Sequence, residues 1–223
     1  PVSNAIKSFS VRLLHAALPC RAMNAAKRSV TDRDFALCQC CGGRDANGRR
    51  CPETYTHLFL ECPAYRPAVT WLLDLWEELE GARPPDAAAV IIADQPGAWP
   101  AAPTGAAALR WHALRLTLLF HIWRTRCSDD ASQRNARAAV AATVEALRED
   151  IRLQFNRAFN RERLTRSLPP RIMRMQRRAA SPDAFQIWRH PKLADYTTTA
   201  GGSRALRLYL DERFPVPLPP EPP

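Results

Sequence analysis

A chain of 223 residues, 46% of them hydrophobic, is long enough for a real core in one or two domains, and it holds no run of eighteen apolar residues that could span a bilayer. Lysine and arginine number 32 against 22 acids, a formal charge of +10, which points to a polyanionic partner such as nucleic acid over the plainer reading of a basic soluble protein. The sequence opens on Pro1 and has no charged-then-apolar leader, so a fragment or processed piece of a longer intracellular chain is expected.

Residues 5–28, AIKSFSVRLLHAALPCRAMNAAKR, read as a helix broken or kinked at Pro19. Directly after it, residues 38–62 read CQCCGGRDANGRRCPETYTHLFLEC, with Asp45, Asn47 and Gly48 making the middle a loop. Beyond Cys62, Val69, Leu72, Leu73 and Trp76 fall at helical spacing while Glu77, Glu78 and Glu80 mark the wet side. Gly81 and the Pro84-Pro85 pair end that helix. Residues 82–103 read as a less ordered connector with Pro96, Pro100, Pro103 and one apolar run, AAAVIIA.

Residues 105–127 are apolar on nearly every side and predict a central buried helix. Residues 131–164 set Val140, Val144, Leu147, Ile151, Phe155 and Phe159 on one stripe, the mark of an amphipathic helix packed on a core. A basic stretch follows, then a short FQIW segment, a Gly201-Gly202 break, a helix-like RALRLYLDERF and an extended, disordered PVPLPPEPP tail. Strand patterns are scarce and no repeat is evident. The expected fold class is mainly α, helical with a small CCHC zinc knuckle module. Its expected divisions are residues 1–80, 81–104, 105–165 and 166–223.

Five of the seven cysteines lie between Cys38 and Cys62. An odd count gathered in one stretch, without a secretion signal, favours reduced thiols and a metal site over a disulfide framework. Cys38 and Cys41 form a C-x2-C pair whose short turn lets two thiolates reach one ion, and Gly42 eases the turn. His57 and Cys62 form an H-x4-C pair that shares one face if TYTHLFLEC is helical. Together they read C-x2-C-x15-H-x4-C, a set suited to one structural zinc. Cys40 points elsewhere in such a knuckle, and Cys51 is a candidate substitute ligand or a free thiol; the alternative to the whole set is an unmetallated cysteine-rich loop. Cys20 and Cys127 are expected to be lone buried thiols. His15, His112 and His121 are expected as core or flanking residues, and His190 in a loop.

The run CQCCG followed by ETYTHLFLECP resembles the zinc-binding domain carboxyl-terminal to the polymerase in reverse transcriptases of non-LTR (LINE-type) retrotransposons. RLLHAALPCRAM is similar to the helix and "LP" turn that precede that module, and PAYRPAVTWLL to the helix that follows it. The resemblance covers roughly residues 5–80, and residues 105–165, including HIWRTRC, are similar in type to the helical tail of some members. It implies one structural zinc on Cys38, Cys41, His57 and Cys62, nothing catalytic at those positions, RNA or DNA as partner together with the polymerase portion of the parent protein, and a nuclear or ribonucleoprotein setting. The loop from Cys41 to His57 is longer than the family shows, with an insertion around DANGRRC, which leaves the role of Cys51 open.

No catalytic centre is expected in this chain. The adjacent Asp129 and Asp130 read as helix capping rather than as a polymerase metal pair. Neither Pro85-Asp86 nor Pro182-Asp183 is followed by the acid-x-lysine of a nuclease, and no glycine-rich phosphate loop is present. The other functional candidate is Arg161, Arg163, Arg166, Arg171, Arg174, Arg177 and Arg178, set against the single acid Glu162. With Gln176 and nearby Trp188 they could grip phosphates through forked, charge-assisted hydrogen bonds, or form a solvated helix face. The resulting expectation is a non-catalytic, zinc-binding region that positions RNA or DNA for target-primed reverse transcription, with no membrane and no small-molecule substrate. The alternatives are a zinc-stapled structural or protein-interaction module and a domesticated regulator that reads one DNA site.

Overall fold

The structure is a computed structural model that describes residues 3–28, 34–44, 48–166, 184–198 and 204–209. It is mainly α, as the sequence predicts. Helix α1, Asn4–Leu14, begins where Ser3 Oγ accepts the Ile6 amide at 3.3 Å, and it buries Ile6, Phe9 and Leu13. It stops well before Pro19, with Ala16 at φ 49, and α2, Arg21–Lys27, restarts after the proline. Helix α3, Arg66–Glu80, has a proline in its first turn and ends at Gly81, whose φ of 79 supplies the left-handed cap.

Helix α4, Ala88–Ile91, is a single turn. Helix α5, Gly105–Arg126, has buried side chains around most of its circumference, from Trp111 and Leu114 to Leu118, Leu119 and Ile122. Helix α6, Ala136–Arg166, starts later than the sequence suggests: Asp130 caps a separate 3-10 turn at Ala131–Gln133, and Asn135 Oδ1 then accepts the Ala138 amide at 2.9 Å. The expected stripe faces inward at Val140, Val144, Leu147 and Ile151, with Phe155 half-buried; the side chain of Phe159 lies outside the described residues. Helices α3, α5 and α6 pack on one another, and α1 lies against α5.

The connector is better ordered than its prolines imply. Val90 and Ile91 are fully buried, and Trp99 meets Trp76 and Trp111 edge-to-face with centroids 6.4 and 5.1 Å away. Such aromatic pairs add about 0.5–1.5 kcal/mol each beyond the area they bury. The positive φ of Asp94 lets the chain turn back, and Arg115 Nη1 of α5 caps the carbonyls of Ile91 and Ile92 at 3.0 Å each.

The described start of the segment read as a last helix, residues 204–208, is instead a strand. β1, Ala194–Thr198, pairs antiparallel with β2, Arg204–Leu208, in register Ala194 with Leu208. In RALRLYL the leucines also alternate, and a two-residue period puts Leu206 and Leu208 against the core, which a lone helical turn there would not do. Among the described residues no helix is long and apolar enough to cross a membrane. Pro182-Asp183, Gly201-Gly202 and the PVPLPPEPP tail lie outside the described residues.

Candidate metal centre

The knuckle is built by short-range backbone geometry. The Cys38 amide donates to the Cys51 carbonyl at 2.9 Å and the Cys51 amide to the Gly43 carbonyl at 2.8 Å, so two short arms run antiparallel around the turn. Gly42 and Gly43 follow the second thiol at φ 68 and 75. A Cβ at Gly43 would sit 3.0 Å from Leu37 Cβ, so this position needs glycine for space as well as for conformation. The amide of Cys41 points at the Cys38 sulfur and that of Gly43 at the Cys41 sulfur, the arrangement that stabilises thiolates.

The second pair depends on a π turn. Residues five apart on an α-helix are turned about 140° from one another, so an ordinary helix would separate His57 from Cys62. Here His57–Glu61 forms a π turn, closed by the Cys62 amide on the His57 carbonyl at 2.6 Å, and the wider turn brings both side chains to one face. Thr54 Oγ1 accepts the His57 amide at 3.0 Å and holds the start of the turn. Leu58, Phe59 and Leu60 are buried beneath it.

Cys38 Sγ, Cys41 Sγ, His57 and Cys62 Sγ converge, with one ligand atom from each lying within 4.8 Å of all the others. Cys38 Sγ is 3.8 Å from Cys62 Sγ, and Cys41 Sγ is 3.4 Å from His57 Nε2. A tetrahedral ion with bonds of about 2.3 Å to sulfur and 2.0 Å to nitrogen separates two sulfurs by about 3.8 Å and sulfur from nitrogen by about 3.5 Å. The set is close enough to bind a metal ion, and its spacing is consistent with zinc. Three of the four residues are buried and Cys41 is half-buried.

The thiols hydrogen-bond to one another. Hydrogen bonds from Cys40 and Cys62 hold the Cys38 thiol well below its ordinary range. The Cys62 and Cys40 thiols are pushed up by their bonds to Cys38, and burial lifts Cys41 to about 11. A bound cation would deprotonate every thiol that coordinates it.

Cys40 stays outside the quartet, between Cys38 and the Tyr65 hydroxyl at 4.0 Å. Cys51 is also outside it, with Sγ 3.5 Å from the Arg49 carbonyl. Cys20 is buried and its thiol is pushed up to about 12 by that burial; Cys127 is exposed at the end of α5, against expectation, because it caps the helix beyond the last buried turn.

Two side chains that the sequence reading did not single out join the knuckle to the helices. Glu53, 1% exposed, accepts the Arg21 amide at 3.0 Å at the start of α2 and also accepts Arg126 Nη2 of α5. Tyr65, fully buried, accepts a hydrogen bond from Thr125 Oγ1 at 3.1 Å. The signal for Glu53 was a lone acid in the quoted ETYTH run, between Cys51-Pro52 and Thr54-Tyr55.

The arginine candidates lie at the edge of the described residues or outside them. Arg161, Arg163 and Arg166 lie on the last turns of α6 with side chains outside the described residues, and Arg171, Arg174, Gln176, Arg177 and Arg178 lie outside them altogether. Trp188 is buried and donates from Nε1 to Asp150 Oδ2 at 2.8 Å, so its ring is not free to stack on a base. Asp86 pairs with Arg66. Set beside known proteins, the chain matches no family model, no curated protein and no solved structure.

Proposed function

We propose that this chain is a zinc-stapled, non-catalytic helical region that binds nucleic acid, in the role of the carboxyl-terminal zinc module of non-LTR retrotransposon reverse transcriptases. The observation that carries the reading is the convergence of Cys38, Cys41, His57 and Cys62 at tetrahedral spacing, in the sequence context CQCCG and ETYTHLFLECP. Four protein ligands leave no position open for water, so the zinc is structural and activates nothing. The +10 charge supports a polyanionic partner, and the resemblance supports RNA or DNA held beside a polymerase.

One observation favours a second reading. Glu53 with Arg126, and Tyr65 with Thr125, fasten the knuckle to α5, as expected of a staple whose purpose is to fix helices for a protein partner. Titration of the zinc-loaded chain with RNA and DNA across salt separates the two. Nucleic-acid binding gives a log–log salt slope of about −0.7 per single-strand phosphate contacted; weak, salt-insensitive binding sinks it and leaves the staple.

A further inference from the structure

A groove of about 590 Å³ lies where the start of α1 meets the middles of α5 and α6, remote in sequence from the metal ligands. His121 lines it. The ring is 7% exposed, makes no hydrogen bond to any described residue, and meets the Phe120 ring edge-to-face at 5.2 Å. Buried polar groups are ordinarily paired, so an imidazole left with a free donor and a free acceptor beside an opening is a site in want of a ligand. Gln154, also buried, spends one N–H on Asp150 Oδ1 at 3.3 Å and keeps its carbonyl oxygen free.

The rim is cationic. The first turn of α1 opens on the groove with the Asn4 and Ala5 amides lacking an intrahelical acceptor, the Ile6 amide being capped by Ser3 Oγ, and with no acid in that turn. Lys7 and Arg157 are exposed and form no ion pair among the described residues, and Arg124 stands over the Phe120 ring at 5.9 Å. Two acids share the lining. Asp150 is engaged by Trp188 and Gln154, which leaves Glu149 as the one opposing charge without a bond.

We infer that this groove seats one unpaired nucleotide of a single strand, the base edge read by His121 and Gln154 and the flanking phosphates held by Lys7, Arg124, Arg157 and the amides of Asn4 and Ala5. The inference rests on the nucleic-acid reading above and gives that reading a location. A neutral imidazole and an amide carbonyl offer the mixed donors and acceptors that a base edge presents, and the volume lies in the range of small-ligand sites. A duplex stacks its bases and pairs their Watson–Crick edges, so a base that enters the groove comes from an unpaired strand. Burial and the charge of Arg124 pull His121 down to about 4, so the ring is neutral at pH 7 and can accept as well as donate.

The test is fluorescence anisotropy with the full zinc-loaded chain and labelled single strands and duplexes of about 12 nucleotides. Lys7→Glu with Arg157→Glu, both at exposed positions that the fold does not need, is expected to weaken single-strand binding about tenfold and to flatten the log–log salt slope by about 1.4. His121→Leu is expected to weaken it about fivefold with the slope unchanged, since a neutral group is removed. Binding equal to wild type in the charge-reversed protein overturns the groove while the nucleic-acid reading stands. No binding by wild type at about 50 mM salt overturns both. Displacement of the strand by a polyglutamate peptide of matched charge, as readily as by unlabelled strand, overturns the nucleotide in favour of an acidic polypeptide.

Discussion

The guanidinium of Arg126, at the last residue of α5, donates to the carboxylate of Glu53, which lies between the two halves of the metal quartet and is almost wholly buried. The same carboxylate oxygen takes the first amide of α2, while its second oxygen is buried without a partner. One acid thus joins the knuckle, the helix before it and the central helix of the body.

A buried acid with a single charged partner makes that partner costly to remove. Arg126→Met leaves Glu53 buried and unpaired and is expected to destabilise the fold by about 3 kcal/mol. Glu53→Gln with Arg126→Met is expected to recover part of that loss, because no unpaired charge remains. Urea denaturation of the two single variants and the double variant reads the coupling directly; full additivity would mean that the pair is not joined in solution.

Asp94 and Arg115 lock the connector onto α5. Asp94 accepts from His112 Nδ1 at 2.8 Å, Arg115 Nη2 at 3.0 Å and Trp111 Nε1 at 3.2 Å. Burial raises the Asp94 carboxyl, but the His112 bond and the Arg115 charge outweigh it and the net direction is down. A depressed acid stabilises the fold above its unfolded pKa and loses that contribution as pH falls through the folded value. Asp94→Asn keeps a side chain that tolerates positive φ while removing the charge, so it is expected to lower stability by roughly 1–2 kcal/mol at pH 7 and by much less in strong acid. Equal losses at both pH values would argue against the ion pair.

His121 changes stability in the same direction, for a different reason: here it is the charged form that burial disfavours. Its folded pKa of about 4 lies below the ordinary histidine value, so the unfolded chain binds the extra proton between pH 4 and about 6.5. Stability is full above that window and declines as pH falls through it, by roughly 2 kcal/mol, less than the whole shift would give because the ring borders an open groove. His121→Gln is expected to flatten the thermal-melt profile across the window, and an unchanged profile would mean that the ring is already solvated.

Cys51 lies close to the quartet in sequence without belonging to it. Cys51→Ser is expected to leave the resistance of the metal to a chelator within about twofold of wild type, whereas Cys62→Ser is expected to abolish it. Loss of metal in the Cys51 variant would make it a ligand.

Much of this arrangement was legible in the sequence where the signal is local. Two short ligand pairs at fixed spacing named the quartet, Pro19 and Gly81 marked helix breaks, and the three-and-four spacing from Val140 to Ile151 gave the buried face of α6. What was missed depends on distant partners. RALRLYL carries a helical and an alternating period at once, and only its pairing with β1 decides between them. The connector is ordered because Trp99 finds Trp76 and Trp111, far from it along the chain. Spacing alone did not show that His57 and Cys62 need a π turn to share a face, nor that His121 sits buried beside an opening without a partner.

The central claim is one zinc on Cys38, Cys41, His57 and Cys62, and the most direct measurement is zinc stoichiometry with X-ray absorption at the zinc edge. Wild type is expected to carry about one zinc per chain with three sulfurs near 2.3 Å and one nitrogen near 2.0 Å, and His57→Ala with Cys62→Ser is expected to lose both the metal and cooperative unfolding. A wild-type chain that unfolds cooperatively with no zinc bound, or a zinc coordinated by four sulfurs, would contradict it.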